Sequence, residues 1–240
     1  MDTGALAMVA ALVGALSAFG VWTLMSRRHI GARAAELQRI VDATTTELES
    51  SRLQLQRLST DDPLTSAANH EQFLAFLERE WRRSRREGVP VSLIFVDIDH
   101  FRAYNRQFGR EAGDDVLKQV SRSLAAVVGR PGDLVARYHR DEFAVVLGAT
   151  DGPGALKIAE QIRQSIAELK MASSAEASEP IVTVSVATSS AVPQRESAWE
   201  ELDLIKAARQ GLRQATAGGG NRVVRAGLGV AGPPELTDLP

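Results

Sequence analysis

The sequence predicts an α/β (α+β) protein in which a central sheet flanked by helices follows a transmembrane helix and a coiled-coil helix. Three observations predict this organisation. Strand-like and helical segments alternate between residues 61 and 226, which is typical of a sheet covered by helices. An uncharged apolar run begins the chain, and a heptad-like spacing of apolar residues follows it. We therefore expect a transmembrane helix over residues 1–28, a coiled-coil helix over 29–60, a folded domain over 61–226 and a disordered tail over 227–240.

The composition excludes several classes of function. The 28 basic and 30 acidic residues nearly balance, so the chain has no general electrostatic attraction to nucleic acid. Because cysteine is absent from the sequence, disulfides, thiolate zinc sites and cysteine nucleophiles are excluded. The four histidines are scattered and show no metal-ligand spacing: His29, His70, His100 and His139.

The first apolar run, Gly4 to Met25, predicts a single membrane span. It carries no charge, and at about 1.5 Å per residue it can just cross a hydrocarbon core of about 30 Å. A signal peptide would need a basic segment before the run, where the only charged side chain is Asp2. Basic residues follow the run instead, so the N-terminus is expected outside and the rest in the cytoplasm, with the protein in the inner membrane. A buried core helix is the alternative, and the lack of a polar face disfavours it.

Residues 30–59 predict a long helix with a coiled-coil seam. The seam positions follow 4-3 spacing, with two polar lapses: Leu37, Val41, Thr44, Leu48, Ser51, Leu55 and Leu58. A parallel homodimer is the expected arrangement, and a lone amphipathic helix lying on the domain is the alternative. The helix should end at "TDDP", because the residue before Pro63 is disfavoured in helical angles.

The domain itself is expected to alternate helices with strands. The predicted helices are Glu71–Arg86, Phe101–Phe108, Glu111–Val128, Pro153–Met171 and Trp199–Ala217. The predicted strands are Val91–Asp97, Ile181–Thr188 and Arg222–Val224, together with a hairpin over Leu134–Leu147, "LVARYHRDEFAVVL". This hairpin carries two acids after a histidine and an arginine, where glycine would be the usual turn residue. The stretch after Arg225 is rich in glycine and proline, which predicts the disordered tail.

Two acids at the end of the first strand are candidates for chemistry. In "VSLIFVDID" the period of two puts Asp97 and Asp99 on one face, at the edge where open sheets bind ligands. One of these carboxylates and one from the hairpin would suit magnesium, which takes few protein ligands and shares substrate phosphates. Helix capping is the alternative. We assign Asp97 to the metal and Asp99 to the cap of the following helix.

Two further segments are ambiguous on sequence alone. Asn105 and Asp114 flank glycines, and an amide with a carboxylate can read the edge of guanine, although such residues usually make turns. "RPGD", Arg130 to Asp133, has the composition of an ordinary turn, where an exposed Arg–Asp pair contributes little stability.

From Asp62 to Val223 the chain resembles the GGDEF domains of diguanylate cyclases, which join two GTP molecules into cyclic di-GMP. "DDPLTSAANHEQF" is similar to D-x-L-T-G-L-x-N-R-R-x-F, and "VDIDHFRAYNRQFGREAGDDVL" to D-x-D-x-F-K-x-x-N-D-x-x-G-H-x-x-G-D-x-x-L. "RYHRDEF" resembles the signature R-x-G-G-D-E-F, and "IVTVSVA" resembles the strand V-T-x-S-x-G. The resemblance implies the GGDEF, nucleotidyl-cyclase-like sheet.

The resemblance also implies roles for individual residues. Asp97, Asp141 and the backbone carbonyl of Ile98 would hold Mg²⁺, if GTP still binds. Asn105 and Asp114 would recognise guanine, and Arg102 stands at the position of a phosphate-binding lysine. Glu142 would lie by the metals and support activation of the ribose 3′-hydroxyl, which attacks the α-phosphate of the GTP in the facing domain.

Departures from the family pattern concentrate in the same site. Both signature glycines are replaced, by His139 and Arg140, which place bulk where backbone would approach the nucleotide. The lysine and arginine that hold the triphosphate in the family correspond to Thr216 and Gly220. Each missing charge-assisted contact is worth about 1.5–3 kcal/mol. The family's aspartate and tyrosine on the same helix become Arg209 and Arg213, so we expect GTP turnover to be absent or very slow.

"RPGD" gains a role from the resemblance, because the family often carries R-x-x-D five residues before the signature as an inhibitory site for cyclic di-GMP. Arg130 and Asp133 have that spacing, although the position of an assisting arginine corresponds to Gln161. The sequence therefore predicts a membrane-anchored, homodimeric, degenerate GGDEF protein that binds cyclic di-GMP. The alternatives are an active diguanylate cyclase and a non-catalytic partner module for another GGDEF or EAL protein.

Overall fold

A computed structural model describes residues 38, 41, 43–45, 47, 60–194 and 199–227. The chain divides into two units, residues 1–58 and residues 59–240. The described residues of the first unit are helical, and the Thr44 hydroxyl donates to the Val41 carbonyl at 3.0 Å. The predicted transmembrane helix, most of the predicted coiled coil and the tail after residue 227 lie outside the described residues. Within the described part, no helix is both long and apolar enough to cross a bilayer.

The second unit is built on a five-stranded sheet with the strand order β2-β3-β1-β4-β5. The strands are β1 (Val91–Ile98), β2 (Asp133–His139), β3 (Glu142–Gly148), β4 (Val184–Ala191) and β5 (Val223–Ala226). The helices are α1 (His70–Glu87), α2 (Phe101–Phe108), α3 (Arg110–Val127), α4 (Gly152–Glu168) and α5 (Glu201–Ala217). Antiparallel pairing joins β2, β3, β1 and β4, and β5 is parallel to β4. The predicted sheet flanked by helices is therefore confirmed, with the hairpin next to β1.

Helix ends follow the local sequence signals. The Asn69 side chain accepts a hydrogen bond from the Gln72 amide at 2.8 Å and caps α1, which ends at Gly88 with φ 68°. The helix α4 ends three residues earlier than Met171, its predicted end, because the chain turns at Lys170 with φ 49°. The strand β4 begins at Val184 and not at the predicted Ile181.

Two apolar layers cover the sheet. One face packs against α3 and α4 through residues such as Val96, Leu117 and Ile162. The other face packs against α1 and α5 through residues such as Phe95, Phe73 and Leu204. Alternation along each strand decides which side chains point to which layer. Asp97, near the end of β1, lies in this way beside residues of α5.

The assignment of Asp99 as a helix cap is wrong. The residue preceding α2 is His100, which has φ 56° and makes no side-chain capping bond. The Asp99 carboxylate instead accepts bonds from the Thr183 hydroxyl at 2.8 Å, the Ser185 hydroxyl at 2.7 Å and the Asn221 amide at 2.8 Å. Asp99 therefore ties the end of β1 to β4 and to the turn before β5. Three hydrogen bonds from residues distant in the sequence stabilise the carboxylate more than one capping bond to the neighbouring helix would.

Replacing Asp99 with alanine should destabilise the domain. The substitution leaves two hydroxyls and one amide without their acceptor, which we expect to lower the unfolding free energy by about 2–4 kcal/mol. Urea denaturation of the full chain followed by circular dichroism measures this loss. The matched control is Asp115→Ala, which removes an exposed carboxylate paired with Lys118 and should change stability little. Equal effects of the two substitutions would contradict the role given to Asp99.

Candidate functional site

The hairpin turn carries the acids Asp141 and Glu142. His139 lies opposite Glu142 in the β2–β3 register, with an irregularity between Arg137 and His139, and the chain reverses at Arg140 and Asp141. None of these turn residues has a positive φ. The turn therefore does not need glycine for its backbone angles, and the substitutions at His139 and Arg140 are compatible with its conformation. Their effect is on the space in front of the turn, where both side chains are exposed.

Arg137 fixes the position of this turn. Its guanidinium donates to the Arg140 carbonyl, at 2.6 Å from Nη2 and 3.0 Å from Nε. The same group binds the Asp62 carboxylate, with Nη1 3.1 Å from Oδ1. Asp62 also accepts from the Thr65 hydroxyl at 2.7 Å and the Thr65 amide at 2.9 Å. A half-buried charged network thus connects the segment before α1 to the tip of the hairpin.

The acids Asp97 and Glu142 lie directly opposite each other on the adjacent strands β1 and β3. Register pairs Asp97 with Glu142 on β3 and with Ser185 on β4. Burial, and then the like charges of Asp141, Glu142 and Asp99, raise the pKa of Asp97 to about 7. The structure therefore gathers the predicted residues Asp97, Asp141 and Glu142 in one electrostatically coupled group.

This group of acids could supply some, but not all, of the oxygen ligands that a Mg²⁺ ion requires. Among the residues that the structure describes, no three His, Asp or Glu side chains converge closely enough to enclose a metal ion. Asp97, Asp141 and the carbonyl of Ile98 at the end of β1 could hold an ion that completes its shell with phosphate oxygens and water. The crowding of negative charge around Asp97 is what a divalent cation relieves. Such an ion, when bound, polarises phosphoryl oxygens.

Glu142 also faces a cation of the protein itself. Arg209 Nη2 lies 3.6 Å from Glu142 Oε2, and the Arg209 guanidinium covers the ring of Tyr138 at 5.4 Å. Glu142 Oε2 is buried and makes no hydrogen bond within the described residues. These side chains, together with His70 and His139, line a pocket of about 560 Å³. The acid that should lie by the metals is thus opposed by an arginine.

A second pocket, of about 410 Å³, is also bordered by Glu142. Its lining consists of two acids, an arginine, a threonine and two apolar residues: Asp97, Glu142, Arg213, Thr216, Leu212 and Ala217. From the sequence, Arg209 and Arg213 were interpreted only as replacements of the family's aspartate and tyrosine. The structure shows both beside the acids, and their spacing of four on α5 was the signal that they share a face.

Close packing of α2 on α3 buries Asn105, one of the two predicted guanine-reading residues. Asn105 in α2 lies against Gly113 in α3, where any β-carbon would collide with the Asn105 amide oxygen. Asp114 is the next residue of α3 after Gly113. The Asn105 amide oxygen is buried and finds no hydrogen-bond partner in the described part of the chain. An unsatisfied buried amide is a group that a ligand donor can satisfy. Arg102, in the first turn of α2, is exposed.

Arg130 and Asp133 form a turn at the opposite end of the hairpin. The Asp133 amide donates to the Arg130 carbonyl at 3.1 Å, and the Asp133 carboxylate accepts from the Gly148 amide at 3.1 Å. Burial raises the pKa of Asp133, and the Gly148 amide and Arg130 oppose that rise. Glu80, a buried acid in α1, adds to the rise. The two residues of this turn therefore lie apart from the acids at the hairpin tip, at the other end of β2.

Comparison with known proteins identifies the domain. Residues 59–222 match the family model described as "Diguanylate cyclase, GGDEF domain". The response regulator PleD of Caulobacter vibrioides is 34% identical over 167 residues, which cover 70% of this chain and 36% of PleD. The cyclic di-GMP phosphodiesterase NbdA of Pseudomonas aeruginosa is 30% identical over 157 residues, which cover 65% of this chain and 20% of NbdA. This chain thus spans well under half the length of either relative.

A solved structure shares the fold. The coiled coil and GGDEF domain of DgcB from Caulobacter crescentus, in complex with c-di-GMP, aligns with a TM-score of 0.62 and 26% identity. The alignment covers 79% of this chain and 99% of the DgcB chain.

The network around Arg137 predicts a pH-dependent effect of Asp62→Asn. Burial raises the pKa of Asp62, but hydrogen bonds from Thr65 and the charge of Arg137 outweigh it, so the pKa lies below its ordinary value. A depressed pKa contributes stability at neutral pH that is lost as the pH falls through the folded-state pKa. Asp62→Asn should therefore lower the melting temperature at pH 7, and the difference from wild type should shrink below about pH 4.

Thermal unfolding of the full chain at several pH values measures this difference, with Asp115→Asn as the exposed control. A difference that stays constant between pH 7 and pH 3 would show that the charge of Asp62 is not what stabilises the turn.

Proposed function

The chain belongs to the GGDEF domain family of diguanylate cyclases, and from that membership we propose that it is a cyclic di-GMP receptor with little or no cyclase activity. The observation that carries the proposal is the ion pair at the hairpin. Arg209 lies 3.6 Å from Glu142, and His139 lines the same pocket, so side chains of the protein itself occupy space beside the acid that should serve the metals. A carboxylate paired with an arginine is a poorer metal ligand than a free one, because part of its charge is already offset.

Binding of cyclic di-GMP is proposed at Arg130 and Asp133. Arginine can bind a phosphate or the acceptor edge of guanine in bidentate fashion, and a carboxylate accepts from guanine N1 and N2. The turn bond from the Asp133 amide to the Arg130 carbonyl holds these two residues at a fixed spacing. The DgcB domain that shares this fold was solved with c-di-GMP, which supports the ligand.

An active diguanylate cyclase is the second candidate. It is favoured by the retained residues of the family pattern: Asp97, Asn105, Asp114, Asp141 and Glu142. The electrostatic interaction of Asp97 with Asp141 and Glu142 and the buried, unpartnered amide oxygen of Asn105 in the described part of the chain support this candidate. Turnover would further require two domains that face each other, each positioning one GTP.

Membrane anchoring and dimerisation complete the proposal. The uncharged run over residues 4–25 and the basic residues after it support a single span in the inner membrane, with the domain in the cytoplasm. The seam residue Val41 is apolar, helical and 53% exposed, which supports a homodimer through the coiled coil. Cyclic di-GMP would then act by changing how the two domains sit on the paired helices.

Calorimetric titration of the detergent-solubilised full chain with cyclic di-GMP tests the receptor function. Wild type should bind, and Arg130→Ala should weaken binding at least tenfold, because charge-assisted contacts contribute about 1.5–3 kcal/mol each. Asp133→Asn should weaken it similarly. The control Arg106→Ala removes a surface arginine that pairs with Glu176 and should leave the affinity unchanged.

Two results would decide against the receptor. The first is the absence of detectable binding by wild type, or binding that Arg130→Ala does not change. The second is formation of cyclic di-GMP from GTP and Mg²⁺ that Asp97→Ala abolishes, which would establish the active cyclase.

Deleting residues 1–28 tests the anchor and the dimer together. The full chain should sediment with membranes and resist alkaline carbonate, whereas the shortened chain should stay in the supernatant as a dimer. In the shortened chain, Leu48→Lys places a charge in the seam and should give monomers by analytical ultracentrifugation. Glu49→Lys, one position off the seam, should leave the dimer intact. A shortened chain that still sediments with membranes would refute the anchor.

A further inference from the structure

A groove at the C-terminal end of α4 shares no lining residue with the two pockets that Glu142 borders. Its volume is about 440 Å³, and its lining comes from the last turns of α4, the turn that follows and the segment before β4: Arg163, Gln164, Ala167, Glu168, Lys170 and Ile181. Ala167 and Ile181 form its half-buried apolar part. Leu169, between two of the lining residues, is 40% exposed. A concave surface with an apolar part beside an exposed leucine is a candidate docking site.

The rim of this groove carries positive charge. Lys170 is exposed, and within the described residues its side chain makes no hydrogen bond and no ion pair. Arg163 donates from Nε to Glu160 at 2.9 Å and from Nη1 to Asn221 Oδ1 at 2.8 Å, which leaves Nη2 without a hydrogen bond in the part of the chain that the structure describes. The two basic side chains outnumber Glu168, the acid of the lining. The groove therefore suits a segment that combines apolar and acidic side chains.

The sequence after β5 contains such a segment. Residues 235–240 read "ELTDLP", in which each leucine, Leu236 and Leu239, directly follows an acid. Residues 228–240 contain no basic side chain. Glycine and proline dominate the stretch between β5 and this segment, which is typical of a spacer. The predicted disorder concerns the tail by itself, and a segment without regular structure can become ordered when it binds.

The distance from β5 to the groove matches the length of this spacer. The end of β5 lies beside the start of α4, because a β-carbon at Gly152 would lie 2.8 Å from Arg225 Nη2. The groove lies at the other end of α4, so the chain must travel the length of this 17-residue helix, which is about 25 Å. Leu236 is ten residues beyond the end of β5, and ten extended residues span at most about 33 Å. Leu236 and Leu239 can therefore reach the groove, whereas the apolar residues nearer to β5 are too close to it.

We propose that residues 235–239 bind in this groove of their own domain. The two leucines would cover the apolar part of the groove, and the two acids would face Lys170 and the free side of Arg163. Each contact is weak, but a segment linked to its site is present at an effective concentration on the order of millimolar, which favours the intramolecular complex. The bound segment would lie beside Asn221 and would stabilise the turn before β5. The inference goes beyond the receptor function and depends on neither the cyclic di-GMP site nor the membrane anchor.

Engineered cysteine pairs test the proposal in the detergent-solubilised full chain, which has no cysteine of its own. Gln164→Cys places a thiol in the groove, and Thr237→Cys places one between the two leucines. A disulfide requires Cα atoms within about 7 Å of each other, so its formation reports that the segment occupies the groove. Under mild oxidation this groove pair should form an intramolecular disulfide, which mass spectrometry of the linked peptides measures.

The matched control combines Thr237→Cys with Gln214→Cys. Gln214 is an exposed glutamine on α5, the helix that covers the other face of the sheet. A segment that moves freely would meet both thiols at similar rates, whereas a segment bound in the groove should cross-link to the control position at least tenfold more slowly. Because Gln164 and Gln214 are both exposed, the two pairs should unfold at the temperature of wild type when reduced.

Further substitutions in the groove pair identify the contacts. Leu236→Ser together with Leu239→Ser should slow cross-linking at least tenfold, because the apolar contact is lost. Lys170→Gln should slow it by about two- to fivefold, since an exposed ion pair contributes little.

Three results would overturn the proposal. The first is an equal rate of cross-linking in the groove pair and the control pair. The second is a rate in the groove pair that the two leucine substitutions leave unchanged. The third is a product that consists mainly of disulfide-linked dimers, because the segment would then occupy the groove of a second copy. No nucleotide is present in these measurements, so their outcome does not depend on whether the chain binds cyclic di-GMP.

Discussion

The antiparallel pairing of β1 with β3 is the constraint on which the site depends. It places Asp97 directly opposite Glu142 and brings the tip of the hairpin to the end of β1. The cost of this arrangement is electrostatic, since burial and three neighbouring carboxylates raise the pKa of Asp97 to about 7. A bound cation, a neighbouring basic side chain or a proton on Asp97 can relieve such crowding.

The protein supplies part of this charge from α5. In the family pattern to which the chain belongs, the cations on this helix and in the turn after it hold the substrate, and the hairpin offers bare backbone. Here the hairpin carries His139 and Arg140, and Arg209 and Arg213 line the two pockets that Glu142 borders. Relative to the family pattern, bulk and positive charge are therefore distributed differently around the hairpin.

The scaffold around the site uses charged groups for structure as well. Arg137 connects Asp62 to the carbonyl of Arg140, and Asp99 connects β1, β4 and the turn before β5. Both are motif residues that could be mistaken for participants in chemistry. Both are hydrogen-bonded within the fold, whereas Asn105 Oδ1 and Glu142 Oε2 are buried without a hydrogen-bond partner among the described residues. Counting satisfied bonds thus distinguishes structural from functional charge where motif position alone does not.

The sequence by itself determined the order of helices and strands, the hairpin and the family, because apolar periodicity and turn residues are local signals. It also predicted that Asp97, Asp141 and Glu142 would lie near one another, since strand ends and the hairpin turn can be read from the residue pattern. It could not determine what each carboxylate contacts. Asp99 was assigned to a neighbouring helix, but its partners Thr183, Ser185 and Asn221 lie more than eighty residues away and only the folded sheet brings them close. The packing of α5 on the sheet likewise decided that Arg209 and Arg213 lie beside the acids. Residues this far apart in the sequence become neighbours only when the chain is folded.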